Sequence, residues 1–180
     1  VLLRRVVRLC LSLFKKRPFL SKRAQVPTLY VLAGPNGAGK TTAFKELVPE
    51  GTDYINADLI AKDLREQAGG LNIQEIANAQ ASIIFEKKIK AGETFSIETN
   101  LVDVETYNSF INAQLKHGYQ VNLIFLTVDD VNICINRVAQ RVREGGHDVS
   151  PQVIKDRYVL GKSLLAHYKD FPDQTRLLDN

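Results

Sequence analysis

One eight-residue stretch limits the fold of this chain more than any other feature of its sequence. Residues 34–41 read Gly-Pro-Asn-Gly-Ala-Gly-Lys-Thr and fit the pattern G-x-x-x-x-G-K-[ST] of a phosphate-binding P-loop. Glycines there let backbone N–H groups approach phosphate oxygens, the lysine reaches the β- and γ-phosphates, and the next hydroxyl can ligate Mg²⁺. Because a P-loop joins a buried strand to a helix, the motif predicts an α/β protein.

The residues on either side of the loop fit that expectation. Residues 28–33 form a short apolar run typical of a buried strand, and residues 41–47 predict a helix whose N-terminus lies under the phosphates. A glycine-rich turn with a chance Lys-Thr pair is the alternative, and the flanking pattern argues against it. The motif thus predicts a nucleotide-binding segment formed by Gly34, Pro35, Asn36, Gly37, Ala38, Gly39, Lys40, Thr41 and Thr42.

Charge is unevenly distributed along the chain. The net charge is +4, but residues 1–26 contain eight Lys or Arg and no Asp or Glu, so the remainder is mildly acidic. We therefore expect no nucleic-acid partner for the domain, since such proteins present a basic surface. No apolar run approaches the length of about 18 residues that a membrane span requires. Cys10 and Cys134 match no metal-site spacing, and we expect two reduced thiols in a cytoplasmic protein.

Residues 1–26 are predicted to be a basic amphipathic N-terminal arm. Within residues 1–17, basic side chains fall on one helical face and apolar side chains on the other. Such a helix could contact a membrane surface or dock a partner. The alternatives are a helix packed on the domain or an untranslated leader. Pro18 and Pro27 bracket a connector, and residues 27–180 are predicted to form one domain.

Strands and helices alternate after the P-loop, which is typical of a three-layer α/β sandwich with a mainly parallel central sheet. Further strands are predicted at 53–55, 94–98, 121–128 and 175–178, and helices from 59, at 72–92, 104–117 and 131–144, and from 151. Asp58 follows the second strand and Glu98 ends the third, at the sheet edge where α/β proteins bind ligands. Asp58 could instead cap a helix, and Glu98 could face the cleft or pair with a cation.

Asp129 ends the most apolar strand and has two interpretations. It could hold Mg²⁺, as an acidic residue after a hydrophobic strand does in P-loop ATPases. It could also cap the helix that begins at Val131, which is the interpretation we favour.

The two helices after Asp129 are rich in arginine. Arg137 and Arg141 lie on the first and Arg157 on the second, with a Gly145-Gly146-His147 tip between the helices. A solvated basic face is one explanation of the Arg137–Arg141 pair. The other is a helical lid that folds over ATP and excludes water.

Four segments, in this order, resemble the zeta toxin family of P-loop kinases. They are residues 33–42, Asn56-Ala57-Asp58, Ser96-Ile97-Glu98-Thr99, and Arg141-Val142 with Gly145-Gly146-His147. The resemblance covers about residues 28–180 and implies a P-loop kinase-type fold with a helical lid. It also implies transfer of phosphate from ATP to a small-molecule hydroxyl, which in zeta toxins belongs to UDP-N-acetylglucosamine.

The resemblance implies a role for each matching residue. Lys40 would hold the phosphates, Thr41 would ligate Mg²⁺, and Asp58 would accept the proton of the acceptor hydroxyl. Glu98 with Thr99 or Asn100 would bind the acceptor. The order here is Glu-Thr-Asn, which leaves open whether the hydroxyl or the amide makes that contact.

The lid is where this sequence departs from the family pattern. Arg137 resembles the first of two lid arginines, which serve catalysis. The second has no clean counterpart, because Asp148 stands near its place. Arg141, as a catalytic residue, or Arg157, as a nucleotide-binding residue, could substitute for it.

The resemblance further implies ATP (or GTP) and Mg²⁺ as cofactors, a nucleotide-sugar acceptor and an antitoxin protein as a partner. Two alternatives remain open at the level of sequence. One is a P-loop ATPase with Asp129 on Mg²⁺. The other is a nucleotide-gated binding protein whose basic arm docks a membrane or a partner.

Overall fold

The computed structural model describes residues 26–68, 72–168 and 170–180, so the predicted arm lies outside the described residues except for Val26. Strands β1 (Thr28–Ala33), β2 (Asp53–Ile55), β3 (Phe95–Thr99), β4 (Gln120–Thr127) and β5 (Gln174–Asp179) alternate with helices α1 (Lys40–Leu47), α2 (Ala57–Ala68), α3 (Ile73–Ala91), α4 (Val104–His117), α5 (Val131–Arg143) and α6 (Pro151–Tyr168). The strands form one sheet in the order β2-β3-β1-β4-β5, and every neighbouring pair is parallel. The predicted parallel α/β fold is confirmed.

Alternating side chains of β4 separate two layers of core on opposite faces of the sheet. Val121, Leu123 and Phe125 pack in one cluster, which takes side chains from α3, α4 and the end of α6. Ile124 and Leu126 pack in the other cluster, which takes side chains from α1, α5 and the beginning of α6. Helices therefore cover both faces, as a three-layer sandwich requires.

The parallel pairing brings the carboxyl ends of β1, β2 and β3 to one edge of the sheet. Ala33, the last residue of β1, pairs with Thr99, and Ile55 of β2 pairs with Ile97. The P-loop, the start of α2 and Glu98 therefore meet at this edge. No helix in the described parts of the chain is both long and apolar enough to cross a membrane.

The structure identifies the capping residues of two helices. Asn56, not Asp58, caps α2, because its Oδ1 accepts from the backbone N–H groups of Asp58 (2.8 Å) and Leu59 (3.3 Å). The prediction that Asp129 caps α5 is wrong. Asp130 is the capping residue, and its side chain accepts from the N–H of Asn132 at 2.9 Å.

Candidate active site

Two glycines of the P-loop lie too close to neighbouring backbone atoms to be replaced by a residue with a side chain. Gly34 and Gly37 have φ angles of 139° and 83°, a region that favours glycine. A Cβ would lie 2.2 Å from the Leu126 carbonyl oxygen at Gly34, and 2.5 Å from that of Cys134 at Gly37. No side chain caps the N-terminus of α1, which begins directly after Gly39. That terminus is therefore suited to an anion, which backbone N–H groups and the helix dipole both attract.

Lys40 is buried at the bottom of the loop, with 6% of its surface exposed. Its Nζ donates to the carbonyls of Gly34 (2.9 Å) and Pro35 (3.1 Å) and to Oδ1 of Asn100 (3.3 Å). It also lies 3.8 Å from Oε1 of Glu98. Burial lowers the pKa of the Lys40 ammonium, and the negative charges of Glu98 and Asp58 oppose that shift.

Glu98 connects the loop to the neighbouring strand. Its Oε2 accepts from Thr41 Oγ1 (3.0 Å), from Asn56 Nδ2 (3.0 Å) and from the Tyr54 hydroxyl. The Tyr54 ring stacks on Phe44, with 4.1 Å between ring centroids. Burial and the Glu98 carboxylate raise the pKa of the Tyr54 phenol, so it remains a donor. Tyr54 was not predicted as a site residue from the sequence, because its position in β2 is the only feature that could have indicated such a role.

The residues around Thr41 fit a Mg²⁺ ion bound together with nucleotide phosphates. The Thr41 hydroxyl commits its hydrogen to Glu98, which leaves its lone pairs free for a cation. A hydroxyl beside a carboxylate, completed by phosphate oxygens and water, is the oxygen-rich set that Mg²⁺ prefers. Asp129 does not line the cleft, so the structure gives no support to it as the magnesium ligand.

Replacing Tyr54 with Phe should raise the Mg²⁺ concentration needed for half-maximal activity by about 10-fold, because Glu98 then loses one of the three donors that orient it. A magnesium titration at saturating ATP measures the effect. Tyr119→Phe is the matched control, since the Tyr119 hydroxyl donates to the Lys88 and Glu93 carbonyls away from the site. Equal magnesium requirements in the two variants would contradict the assignment.

Asp58 is half-buried in the same cleft and is held from α3. Its Oδ1 accepts from Nε2 of Gln74 at 3.4 Å, and Gln74 also donates to Oδ1 of Asn78 at 3.2 Å. Within the described residues, Oε1 of Gln74 is buried without a hydrogen-bond partner. Gln74 and Asn78 were missed from sequence, because the apolar pattern of this helix marks its core face but not its polar residues.

The two predicted lid helices contribute arginines to the cleft. Arg157 donates from Nη1 to Asn36 Oδ1 (2.8 Å), and Arg137 donates from Nη1 to the Gly37 carbonyl (3.3 Å). Arg141 is held by the tip, where its Nη2 donates to the His147 carbonyl at 2.8 Å. None of the three arginines forms an ion pair with another described residue.

A cavity of about 430 Å³ joins these groups. The predicted site residues that line it are Asn36, Gly37, Gly39, Lys40, Thr41, Thr42, Asp58, Glu98, Thr99, Asn100, Arg137, Arg141 and Arg157. Gly34 and Pro35 contribute the carbonyls that hold Lys40, and Ala38 is buried beneath the loop. Thr99 accepts from the N–H of Leu101 (3.0 Å) and so shapes the turn after β3. The cavity volume suits a nucleotide or a second small molecule.

Comparison with known families agrees with this architecture. The AAA domain family matches residues 29–157, which is most of the chain. The chain belongs to this family. The matched segment of this AAA domain protein runs from β1 to Arg157 and so contains the P-loop, Asp58, Glu98 and the arginines of α5.

Individual proteins are also similar to this chain. An uncharacterized protein of Haemophilus influenzae is 28% identical over 125 residues, which span 69% of this chain and 88% of that protein. A kinase candidate from Chloroflexus aurantiacus superposes with a TM-score of 0.64 and 16% identity, over 86% of this chain and 89% of that one.

Two further structures come from complexes. One describes the PezAT chromosomal toxin-antitoxin system of Streptococcus pneumoniae, with a TM-score of 0.64 and 19% identity over 98% of this chain and 75% of that one. The other is AvrRxo1-ORF1:-ORF2 with ATP, with a TM-score of 0.63 and 19% identity over 87% of this chain and 55% of that one. At these identities the likeness establishes the P-loop kinase fold of this chain.

Proposed function

We propose that this protein is an ATP-dependent kinase that phosphorylates a hydroxyl group of a small molecule, with Asp58 as the general base. One observation carries the proposal. Asp58 shares a cavity with the P-loop lysine but is not needed to cap α2, because Asn56 fills that role. A carboxylate that is not needed as a helix cap and lies in the cavity of the P-loop lysine suits proton transfer, which a protein that only binds nucleotide does not need.

The proposed reaction is a direct transfer of the γ-phosphoryl group to the acceptor. The acceptor oxygen attacks the γ-phosphorus of ATP. The bond between that phosphorus and the β–γ bridging oxygen breaks, and ADP leaves. The acceptor proton passes to the Asp58 carboxylate. Lys40 exchanges the carbonyls of Gly34 and Pro35 for phosphate oxygens.

Charge on the transferred group is neutralised from the lid side of the cleft. Arg137 and Arg157 already contact the P-loop, so small side-chain movements would bring them to the phosphates. When bound by Thr41 and Glu98, Mg²⁺ would neutralise charge on the β- and γ-phosphate oxygens.

We propose a nucleotide sugar, in the first instance UDP-N-acetylglucosamine, as the acceptor, and a zeta-toxin-like kinase domain at residues 27–180. The ordered motifs of the sequence support this, as does the fold shared with a protein of a toxin-antitoxin system. An antitoxin protein that covers the nucleotide site, a cytoplasmic location and a docking role for residues 1–26 belong to the same proposal.

The test is ATP consumption by the purified protein with and without UDP-N-acetylglucosamine, followed by mass spectrometry of the sugar nucleotide. We expect a product that is heavier by one phosphate, and its absence with the Asp58→Asn variant. A rate of ATP turnover that does not change when UDP-N-acetylglucosamine is added would reject this acceptor.

Gln74 offers a separate test of the acceptor side. Gln74→Leu should raise the acceptor KM and lower kcat, together reducing kcat/KM by about 10-fold, because Asp58 loses a donor and the cavity loses an unpaired acceptor atom. Steady-state kinetics against each substrate measures this, and the KM for ATP should not change. Gln80→Leu, on an exposed position of the same helix, is the control. A similar loss in both variants would refute the role of Gln74.

A further inference from the structure

A second cavity, of about 560 Å³, opens beside Asp58. It shares Thr41, Asp58 and Arg141 with the nucleotide cleft. Its outer wall adds Lys62 and Arg65. The phosphate-transfer centre therefore continues directly into a space bordered by basic side chains.

The basic residues of α2 lie in line with the candidate base. Asp58, Lys62 and Arg65 have the spacing i, i+4 and i+7, which places them on one face of the helix. Since a helix rises about 1.5 Å per residue, Lys62 and Arg65 follow Asp58 by about 6 and about 10 Å along the axis.

The lid tip closes the other side of this cavity. His147 Nδ1 lies 3.3 Å from Nη2 of Arg65, and the His147 carbonyl accepts from Arg141. Nε of Arg141 is buried and has no hydrogen-bond partner among the described residues. The tip therefore holds two guanidinium groups at the same cavity.

Each of the three carboxylates in the wall, those of Asp58, Glu98 and Glu144, accepts a hydrogen bond from a neighbouring side chain. Glu98 accepts from Thr41, Asn56 and Tyr54, and Glu144 accepts from Gln140 at 2.6 Å. In the described parts of the chain, neither Lys62, Arg65 nor Arg141 forms an ion pair. The basic groups are thus available to an anionic ligand.

We propose that this second cavity is an anion subsite for the acceptor, in which Lys62, Arg65 and Arg141 bind its phosphate or diphosphate group. The inference rests on the proposed kinase function and assigns residues to the anionic group of the acceptor. The acceptor is a phosphorylated hydroxy compound. Its anionic group is separated from the reacting hydroxyl, because Lys62 and Arg65 follow Asp58 by about 6 and about 10 Å along the axis of α2. Neutral sugars and polyols are poor substrates.

Pyrophosphate is the probe that tests the subsite without any transfer reaction. The P-loop is first saturated with Mg²⁺ and a non-hydrolysable ATP analogue, and pyrophosphate is then titrated by calorimetry. We expect one further equivalent to bind, with an affinity reduced at least about 10-fold in the Lys62→Gln/Arg65→Gln double variant. The matched control is Lys45→Gln/Lys116→Gln, which removes two exposed charges outside both cavities.

The outcomes separate this inference from the proposed function. Absence of pyrophosphate binding to the loaded protein, or equal binding by both double variants, overturns the subsite. Selective loss in Lys62→Gln/Arg65→Gln supports it, even where UDP-N-acetylglucosamine is not phosphorylated. Where transfer is observed, the same double variant should raise the KM for a phosphorylated acceptor about 10-fold without changing the KM for ATP.

Discussion

Substitution of Asp58 by Asn is expected to reduce phosphoryl transfer by about 10²–10⁴-fold while ATP binds as before. Asn has the shape of Asp and still offers Oδ1 to Gln74, but it cannot take up the acceptor proton. Nucleotide affinity is kept because Lys40 and the loop glycines are untouched. Initial rates of ADP release in the presence of acceptor, with calorimetric titration of an ATP analogue, measure the two quantities separately.

The cap of α2 makes this experiment easy to interpret. Asn56 satisfies the first N–H groups of the helix, so Asp58→Asn removes only a first-turn charge and should lower the melting temperature by no more than a few degrees. Asp63→Asn, an exposed position on the same helix, controls for the loss of one negative charge. Unaltered transfer in Asp58→Asn, or an equal decrease in Asp63→Asn, would exclude Asp58 as the base.

The second large effect is expected from Lys40→Met, which should reduce transfer by about 10²–10³-fold and weaken ATP more than AMP. The lysine reaches the β- and γ-phosphates, which AMP lacks. The protein should nevertheless stay folded, because Met fills the buried space and Glu98 retains three donors. Parallel titrations with ATP and AMP measure the two affinities, and a thermal melt tests whether the variant is folded. Equal weakening of both nucleotides would point to a disrupted loop.

The pH dependence of ATP affinity provides an independent measure of the same residue. Burial lowers the pKa of Lys40 in the nucleotide-free protein, whereas bound triphosphate stabilises the ammonium form. Above the lowered pKa, binding must therefore take up a proton, and affinity falls as the pH rises. Below that pKa, Lys40 is already charged and contributes no slope. Lys40→Met should abolish the alkaline decrease, and its persistence there would assign it to another group.

Local sequence was enough to predict the first half of the site. The glycines and the preceding apolar run specify β1, the loop and α1, since each depends on neighbours in the chain. Asp58 and Glu98 could be placed at one edge because the ends of parallel strands meet there. The structure brings both to the cleft, and their chemical roles stay predictions.

Other parts of the site depend on packing that no local pattern reveals. Asp129 and Asp130 are adjacent acids with the same capping ability, and Asp130 is the cap because α5 begins at Val131. Tyr54 reaches Glu98 because β2 pairs with β3, and Gln74 reaches Asp58 because α3 packs on α2. These contacts join residues that are far apart in sequence, so the periodicity of apolar residues along the chain does not predict them.

The hydrogen bonds from Lys40 to the carbonyls of Gly34 and Pro35 have a consequence for turnover. A buried ammonium abandoned by a departing phosphate would be costly, since little water can reach it. If this protein is the proposed kinase, the loop's own carbonyls would receive the charge when ADP dissociates. In the proposed reaction, product release would therefore be an exchange of partners at Lys40.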